Sequence, residues 1–353
     1  VEHVSETTNE VVAAAARIGL SSDAVAAVGE MITRIAREPA LSERFDRLAA
    51  RLRDAPPDDA VAAVEREGIE HLLGVPAARA FYLCLVLTEI PAAEQRHRAR
   101  GVSDEVSRAT LADIGIWVAH YRAQLGYVGI TKEIVGWSQR YLRGELYRIG
   151  ILQFDAMPFD GSIRAYRERA SRRIELTTLD GRSIDPTTGD PTTTPAPELD
   201  EGWDLVLAPG MPVLDMHIPA GTKLDVRGVA HAIRDAYRFF ASLRPDLTPV
   251  GACGEAWLLD PQMRQLLPNN TGLHAIQMAC SLYPSTLREE KTITRLFGPD
   301  VTRDQLPSIR FEGMTSLHRA VIAFLGDPQN HLRARGGLLL REELDRILAL
   351  VGD

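Results

Sequence analysis

Cysteine is scarce in this chain: three in 353 residues, at Cys84, Cys253 and Cys280. They lie far apart, are odd in number and include no pair at metal-ligand spacing. A secreted disulfide framework and a cysteine-based metal site are therefore not expected. Positive charge is also short. Forty Lys and Arg stand against 48 Asp and Glu, for a net charge of −8, so the overall field attracts neither nucleic acid nor an anionic membrane. An anionic ligand would need a local patch or oriented backbone amides. Long hydrophobic runs are missing as well; the longest, residues 80–87, falls far short of a bilayer span. Residues 1–10 are polar and acidic, without the basic start and apolar run of a signal peptide. The glycine patterns of a Walker loop and of a Rossmann fingerprint are absent, as is any internal repeat. These absences lead to an expectation of a reduced, cytoplasmic protein with no metal, no nucleic-acid partner and no membrane partner.

What is present is the composition of a folded protein, 45% hydrophobic and 25% charged, in a chain long enough for two domains. Residues 1–145 read as helical. Segments 11–18, 23–37, 41–53 and 59–67 place apolar residues three and four apart, and Ser22 and Ser42 stand at candidate N-caps. Breaks at Pro56-Pro57 and Gly74-Val-Pro76 lead to further helices at 77–88, 104–125 and 131–141. Near Tyr147 the texture changes, and Ile149, Ile151, Gln153 and Asp155 begin a period of two. Strands are expected at 162–169, 173–179, 204–208, 213–219, 252–259 and 336–340, with a hairpin turn at Asp180-Gly181. The Thr- and Pro-rich stretch 187–198 reads as an exposed loop. Helices are expected at 226–242, 261–267, 273–281 and 316–325. The fold class is α+β, an all-helical domain over 1–145 followed by a mixed α/β domain over 146–353.

The stretch Val213-Leu-Asp-Met-His-Ile-Pro-Ala-Gly-Thr-Lys-Leu-Asp225 reads as a strand, a Pro/Gly turn and a helix start. Free backbone N–H groups at such a junction can cradle a pyrophosphate. Lys223 adds positive charge, whereas Asp225 caps the helix and would repel a phosphate placed over it. Along the strand Asp215 and His217 point to one face, and Leu214, Met216 and Ile218 to the other. In segment 252–259, Cys253, Glu255 and Trp257 share a face. Glu255 reads either as an edge carboxylate in water or as a desolvated one whose raised pKa suits a general base. Cys253 reads as a small core residue, with an acyl-accepting nucleophile served by His217 as the alternative.

Several pieces together carry a resemblance. They are Ile114-Gly-Ile-Trp-Val-Ala-His-Tyr121, Trp137, and Tyr141-Leu-Arg-Gly-Glu-Leu-Tyr-Arg-Ile-Gly-Ile-Leu-Gln-Phe-Asp155. His217-Ile-Pro-Ala-Gly221, Ala236-Tyr-Arg-Phe-Phe240, Trp257-Leu-Leu-Asp-Pro261 and Thr315-Ser-Leu-His-Arg-Ala320 follow. In order and spacing they resemble bacterial acyltransferases built from a helical N-acyltransferase N-terminal domain and a GNAT-like C-terminal domain. Three departures stand out: Glu255-Ala256 where His-Ser is usual, Thr271-Gly-Leu273 where Ser-Asn-Ile is usual, and His318 in place of a Gln.

The resemblance implies an acyl-CoA, or an acylated carrier protein, as donor and a small-molecule amine or hydroxyl as acceptor, joined by direct attack without a covalent enzyme intermediate. It implies that the strands carrying His217 and Glu255 splay to admit the pantetheine arm. The catalytic groups would be Glu255, His217 and Asp215. The coenzyme A thioester would lie along Met216, Ile218, Ala220, Gly221, Thr222, Lys223 and Arg227. The usual phosphate-loop signature is only faintly echoed in Arg227-Gly-Val-Ala-His-Ala232. The competing expectation is therefore a non-catalytic module that binds acyl-CoA or an acylated carrier as a sensor.

Overall fold

The computed structural model describes residues 2–53, 55–196, 201–266, 272–299, 301–311 and 313–351. The chain divides into two compact units. One comprises Val1–Arg148 with Pro219–Gly221 and Phe311–Gly313; the other comprises Ile149–Ile218, Thr222–Arg310 and Met314–Asp353.

The first unit holds ten helices among the described residues: α1 (Glu2–Arg17), α2 (Ser22–Arg37), α3 (Pro39–Leu52), α4 (Pro57–Glu67), α5 (Ile69–Leu73), α6 (Val75–Thr88), α7 (Ile90–Ala99), α8 (Asp104–Leu111), α9 (Asp113–Leu125) and α10 (Lys132–Leu142). Helix α6 is apolar all round because it is the centre of the unit, with α1, α2, α5 and α10 packed on it. Leu83, Leu85 and Leu87 are fully buried there, each contributing about 1.5–3 kcal/mol relative to exposure. The apolar character runs on past 87. Val75–Ala99 is long and apolar enough to cross a membrane, and 61% of its most apolar window is buried inside the protein. The candidate caps Ser22 and Ser42 are corrected. Ser21 precedes α2 and Glu38 precedes α3, and neither makes a side-chain cap bond. Pro39, pre-set for a first helical turn, starts α3 three residues before Ser42. The expected helix 104–125 is broken at Ala112 into α8 and α9. Asp113, buried at the start of α9, accepts from the Tyr141 hydroxyl at 2.5 Å, and Tyr141 in turn accepts from Trp137 Nε1. Trp137 and Tyr141 thus tie α9 to α10 inside the unit.

The second unit is built on two sheets. Their strands are β1 (Tyr147–Ile149), β2 (Leu152–Pro158), β3 (Ile163–Glu168), β4 (Ile174–Thr178), β5 (Arg182–Ile184), β6 (Pro191–Pro195), β7 (Trp203–Leu207), β8 (Pro212–His217), β9 (Gly251–Ala256), β10 (Ser281–Pro284) and β11 (Arg335–Leu340). The six-stranded sheet runs β1-β2-β8-β9-β11-β10 and the five-stranded sheet β6-β5-β4-β3-β7. Gly150, at φ +59°, interrupts the period-two pattern between β1 and β2. Helices α11 (Val226–Leu243), α12 (Met263–Leu266), α13 (Gly272–Ala279), α14 (Glu289–Phe297), α15 (Ser316–Leu325) and α16 (Arg341–Val351) complete it. The last residue of the expected helix 261–267, and Thr271, lie outside the described residues.

The expected loop 187–198 is corrected. Its middle is β6, paired with β5 as the sheet's edge, where proline's missing donor costs no ladder bond; residues 197 and 198 lie outside the described residues. His318 has a structural role: Thr315 and His318 form a capping box at the start of α15, with the Thr315 N–H donating to His318 Nδ1 at 3.0 Å. A Gln at that position makes the same bond.

Candidate functional site

The only parallel pair among the described strands is β8 with β9, and it is short. Its register covers Leu214↔Ala252 and Asp215↔Cys253, although β8 stays paired with β2 as far as His217 and β9 stays paired with β11 as far as Ala256. Beyond Asp215 and Cys253 each strand follows its outer neighbour, and the two leave a notch between them. The backbones still touch at its base: a Cβ added to Gly254 would stand 2.3 Å from the Met216 carbonyl oxygen. Only glycine lets the strands approach so closely there.

Val213, Asp215, Cys253 and, two residues on, His217 and Glu255 occupy one sheet face, since side chains alternate and Asp215 is level with Cys253. Val213 and Cys253 continue into the apolar layer shared with the five-stranded sheet. Asp215 Oδ2 and His217 Nε2 are 2.8 Å apart. On the side of β9 away from the notch, Ser285 Oγ, just past β10, donates to Glu255 Oε2 at 2.6 Å. Burial raises the Glu255 pKa above its ordinary 4.5, repulsion from Asp160 and Asp215 adds to this, and the Ser285 bond partly offsets it. A half-buried carboxylate with a raised pKa is a competent proton acceptor near neutral pH. Cys253 is buried beside the same three acids, and burial followed by their repulsion holds its thiol well above the usual range. A thiolate is thus disfavoured at this position.

Trp257 is not on the strand with Glu255. Strand β9 ends at Ala256, where its pairing with Arg335 ends, and Trp257–Leu259 form a 3-10 turn. Without a ladder the chain closes its own hydrogen bonds. Ile218 likewise lies one residue past the end of β8.

After β8 the chain turns at Ala220 and Gly221, the latter at φ +73°, and enters α11 through Asp225. The Asp225 carboxylate accepts from Gly228 N–H at 2.7 Å, so one of the free donors of the helix start is already used. Lys223 and Arg227 are exposed and form no hydrogen bond or ion pair among the described residues. The Thr222 hydroxyl is buried without a hydrogen-bond partner. Ala220 and Gly221 group with the helical unit, and Met216, Ile218, Thr222, Lys223 and Arg227 with the second. Among the described residues no group of three or more His, Cys, Asp or Glu is placed to hold a metal ion.

Ser285 and Asp160 are the participants sequence reasoning missed. A serine 30 positions from its carboxylate partner and an aspartate in a loop carry no spacing signal; only the strand order brings them together.

Comparisons with known proteins fit this layout. A family model described as the N-acyltransferase N-terminal domain matches residues 9–144, and one described as the GNAT-like C-terminal domain matches residues 146–339. No curated protein matches the chain. Solved structures with a similar fold include a mutant acyltransferase in complex with octanoyl-CoA, at 22% identity and a TM-score of 0.63. An acyltransferase in complex with decanoyl-CoA and teicoplanin is similar at 22% identity and 0.60, and one with decanoyl-CoA at 20% and 0.62. The first two alignments cover 92% of this chain and 86% of the other; the third covers 92% and 85%.

Proposed function

This chain belongs to the family of the GNAT-like C-terminal domain, preceded by an N-acyltransferase N-terminal domain, and we propose that it transfers an acyl group from acyl-CoA to an amine or hydroxyl of a small-molecule acceptor. The observation that carries this reading is the notch between β8 and β9, flanked by the Asp215–His217 pair and by Glu255. The unpaired strand edges suit the amides of a pantetheine arm, which can bind as an added strand. Solved structures of similar fold contain octanoyl-CoA and decanoyl-CoA.

The turn supplies partial fit for the anionic end of the donor. Lys223, Arg227 and the unpartnered Thr222 hydroxyl offer charge and a donor. In the reaction the acceptor nitrogen attacks the thioester carbonyl, polarised by backbone N–H groups near Met216 and Ile218. The C–N bond forms and the C–S bond breaks. Coenzyme A leaves as a thiolate, and the proton lost by the nitrogen passes to Glu255 directly or through one water before the thiolate is protonated on release. His217, held by Asp215, serves as the second proton-accepting group of the notch. Cys253 takes no part, so no acyl-enzyme forms.

One feature favours a second reading: the Asp225 carboxylate lies at the α11 N-terminus, where a pyrophosphate would otherwise sit. In that reading the unit holds a thioester, on CoA or on a carrier protein, without turnover. Titration with CoA and octanoyl-CoA separates donor binding from its absence, because a ligand of the native state raises the melting temperature. A rise with both is expected; no rise with either, nor with an acylated carrier protein, at millimolar concentration removes the donor assignment.

A further inference from the structure

The second unit contains a cavity of about 890 Å³ formed by the segment after β10, the start of α14 and residues 331–335 leading into β11. Ser285 is part of its lining and is also the residue that donates to Glu255. The cavity is therefore joined through Ser285 to the carboxylate read above as the base. Its volume suits an organic molecule well beyond a simple metabolite.

The walls are fixed from behind. Arg303 donates to Glu289 at 2.9 Å and to the carbonyls of Leu325, Asp327 and Asn330. Glu289 accepts from Leu332 N–H at 2.8 Å, and Asp260 from Arg333 N–H at 2.6 Å. Arg335 is committed to Asp190 at 2.6 Å. These bonds hold the backbone around the cavity while leaving two of its cations unused. Arg288 and Arg333 are exposed in the lining, and neither guanidinium has a hydrogen bond or ion pair among the described residues. Glu290 is the remaining uncommitted carboxylate of the lining, so the lining offers two free guanidiniums and one free carboxylate.

A lining with surplus positive charge, joined to Glu255 through Ser285, calls for a ligand that carries both an anion and an amine. We propose that this cavity is the acceptor subsite and that the acceptor is an amine that also carries a carboxylate, gripped by Arg288 and Arg333 while its amine turns toward Glu255. The guanidinium fork matches a carboxylate through two parallel N–H···O bonds. The proposal rests on the acyltransferase reading and adds the acceptor's chemical class. The bond changes are those already given: C–N forms, C–S breaks, and the thiol leaves.

The test uses the full chain and a matched pair of probes, tetraglycine and tetraglycine amide, titrated by calorimetry. The free acid is expected to bind, and the amide roughly tenfold or more weakly, the size of a lost charge-assisted bond. Arg288→Gln combined with Arg333→Gln should abolish that difference and leave the melting-temperature rise with octanoyl-CoA unchanged. Equal binding of acid and amide, or no binding of the acid at millimolar concentration, overturns the proposal. So does loss of the octanoyl-CoA shift in the double variant, which would mean that the arginines hold the donor's phosphates. Failure of the acyltransferase reading itself has a different signature: no octanoyl-CoA shift in the unaltered chain, with discrimination between the probes intact.

Discussion

Replacing Gly254 by alanine tests whether the close approach of β8 and β9 shapes the notch. The added Cβ would stand 2.3 Å from the Met216 carbonyl oxygen, against the 3.0 Å below which real Cβ contacts essentially do not occur. The obstacle is backbone, not the end of a flexible side chain, so one strand must move by at least about 0.7 Å, the difference between those distances. Overpacking of this kind costs about 1–3 kcal/mol. Because Gly254 lies between Cys253 and Glu255, the same movement shifts the carboxylate against the notch, and misplacements near 1 Å cost on the order of 10²-fold in turnover. Urea unfolding should show a lower midpoint with an unchanged slope. Thiol release from octanoyl-CoA, followed with a panel of amines, should fall further than the loss of folded protein explains. A Gly254→Ala protein with the original midpoint and turnover would refute both the register at this point and its role in the site.

Cys253→Ala should keep near-full turnover and lose about 1 kcal/mol or somewhat more of stability, as for other buried truncations; loss of turnover in a folded, CoA-binding variant would restore the acyl-cysteine alternative. Lys223→Ala should weaken CoA roughly 2- to 5-fold by calorimetry, the scale of an exposed charge pair, without moving the melting temperature of the free protein; unchanged affinity would remove Lys223 from the donor site. His97 is fully buried, and Nε2 must donate to the Tyr141 carbonyl oxygen at 2.8 Å, which leaves Nδ1 to accept from the Ser107 hydroxyl. Burial lowers its pKa below the ordinary 6.5, so its stabilising contribution is present above that value and is lost as pH falls through the folded-state pKa. Urea midpoints measured downward from neutral pH should fall in this window, and His97→Gln should flatten that part of the profile; an unaltered slope in the variant would contradict it.

The helical unit was largely legible because amphipathic spacing is a local signal. Residues such as Val28, Ile32 and Ile35 in α2 declare their buried face without reference to anything distant. Its errors were at boundaries, where proline at a first turn outweighed a nearby serine, as at Pro39. In the second unit β8, β9 and β11 were legible as segments, since each is a short run of mostly apolar and small residues. Strands β5 and β10 are three and four residues long, too short to display a period. Helices α7, α14 and α16 do carry helical spacing but are absent from the sequence reading; α14, for example, buries Ile293, Leu296 and Phe297. The chemistry divides in the same way. The Asp215–His217 pair follows from alternation within one strand. The Glu255–Ser285 bond depends on β10 lying beyond β11 in the sheet, which no local pattern encodes. Trp257 was misplaced because a strand cannot be seen to end where its partner does.

The central claim is that Glu255 takes a proton while an acyl group leaves coenzyme A, and Glu255→Gln tests it most directly. The replacement retains the shape and can still accept from Ser285, but it removes the carboxylate. Thiol release from octanoyl-CoA, followed with the same amine panel under saturating donor, should fall by about 10²–10⁴-fold, the usual scale of a lost proton-transfer group. Octanoyl-CoA should still raise the variant's melting temperature as it does for the unaltered chain. Unchanged release in a folded, donor-binding Glu255→Gln protein would contradict the account. So would donor binding with no release from the unaltered chain with any amine, which is the behaviour of a sensor.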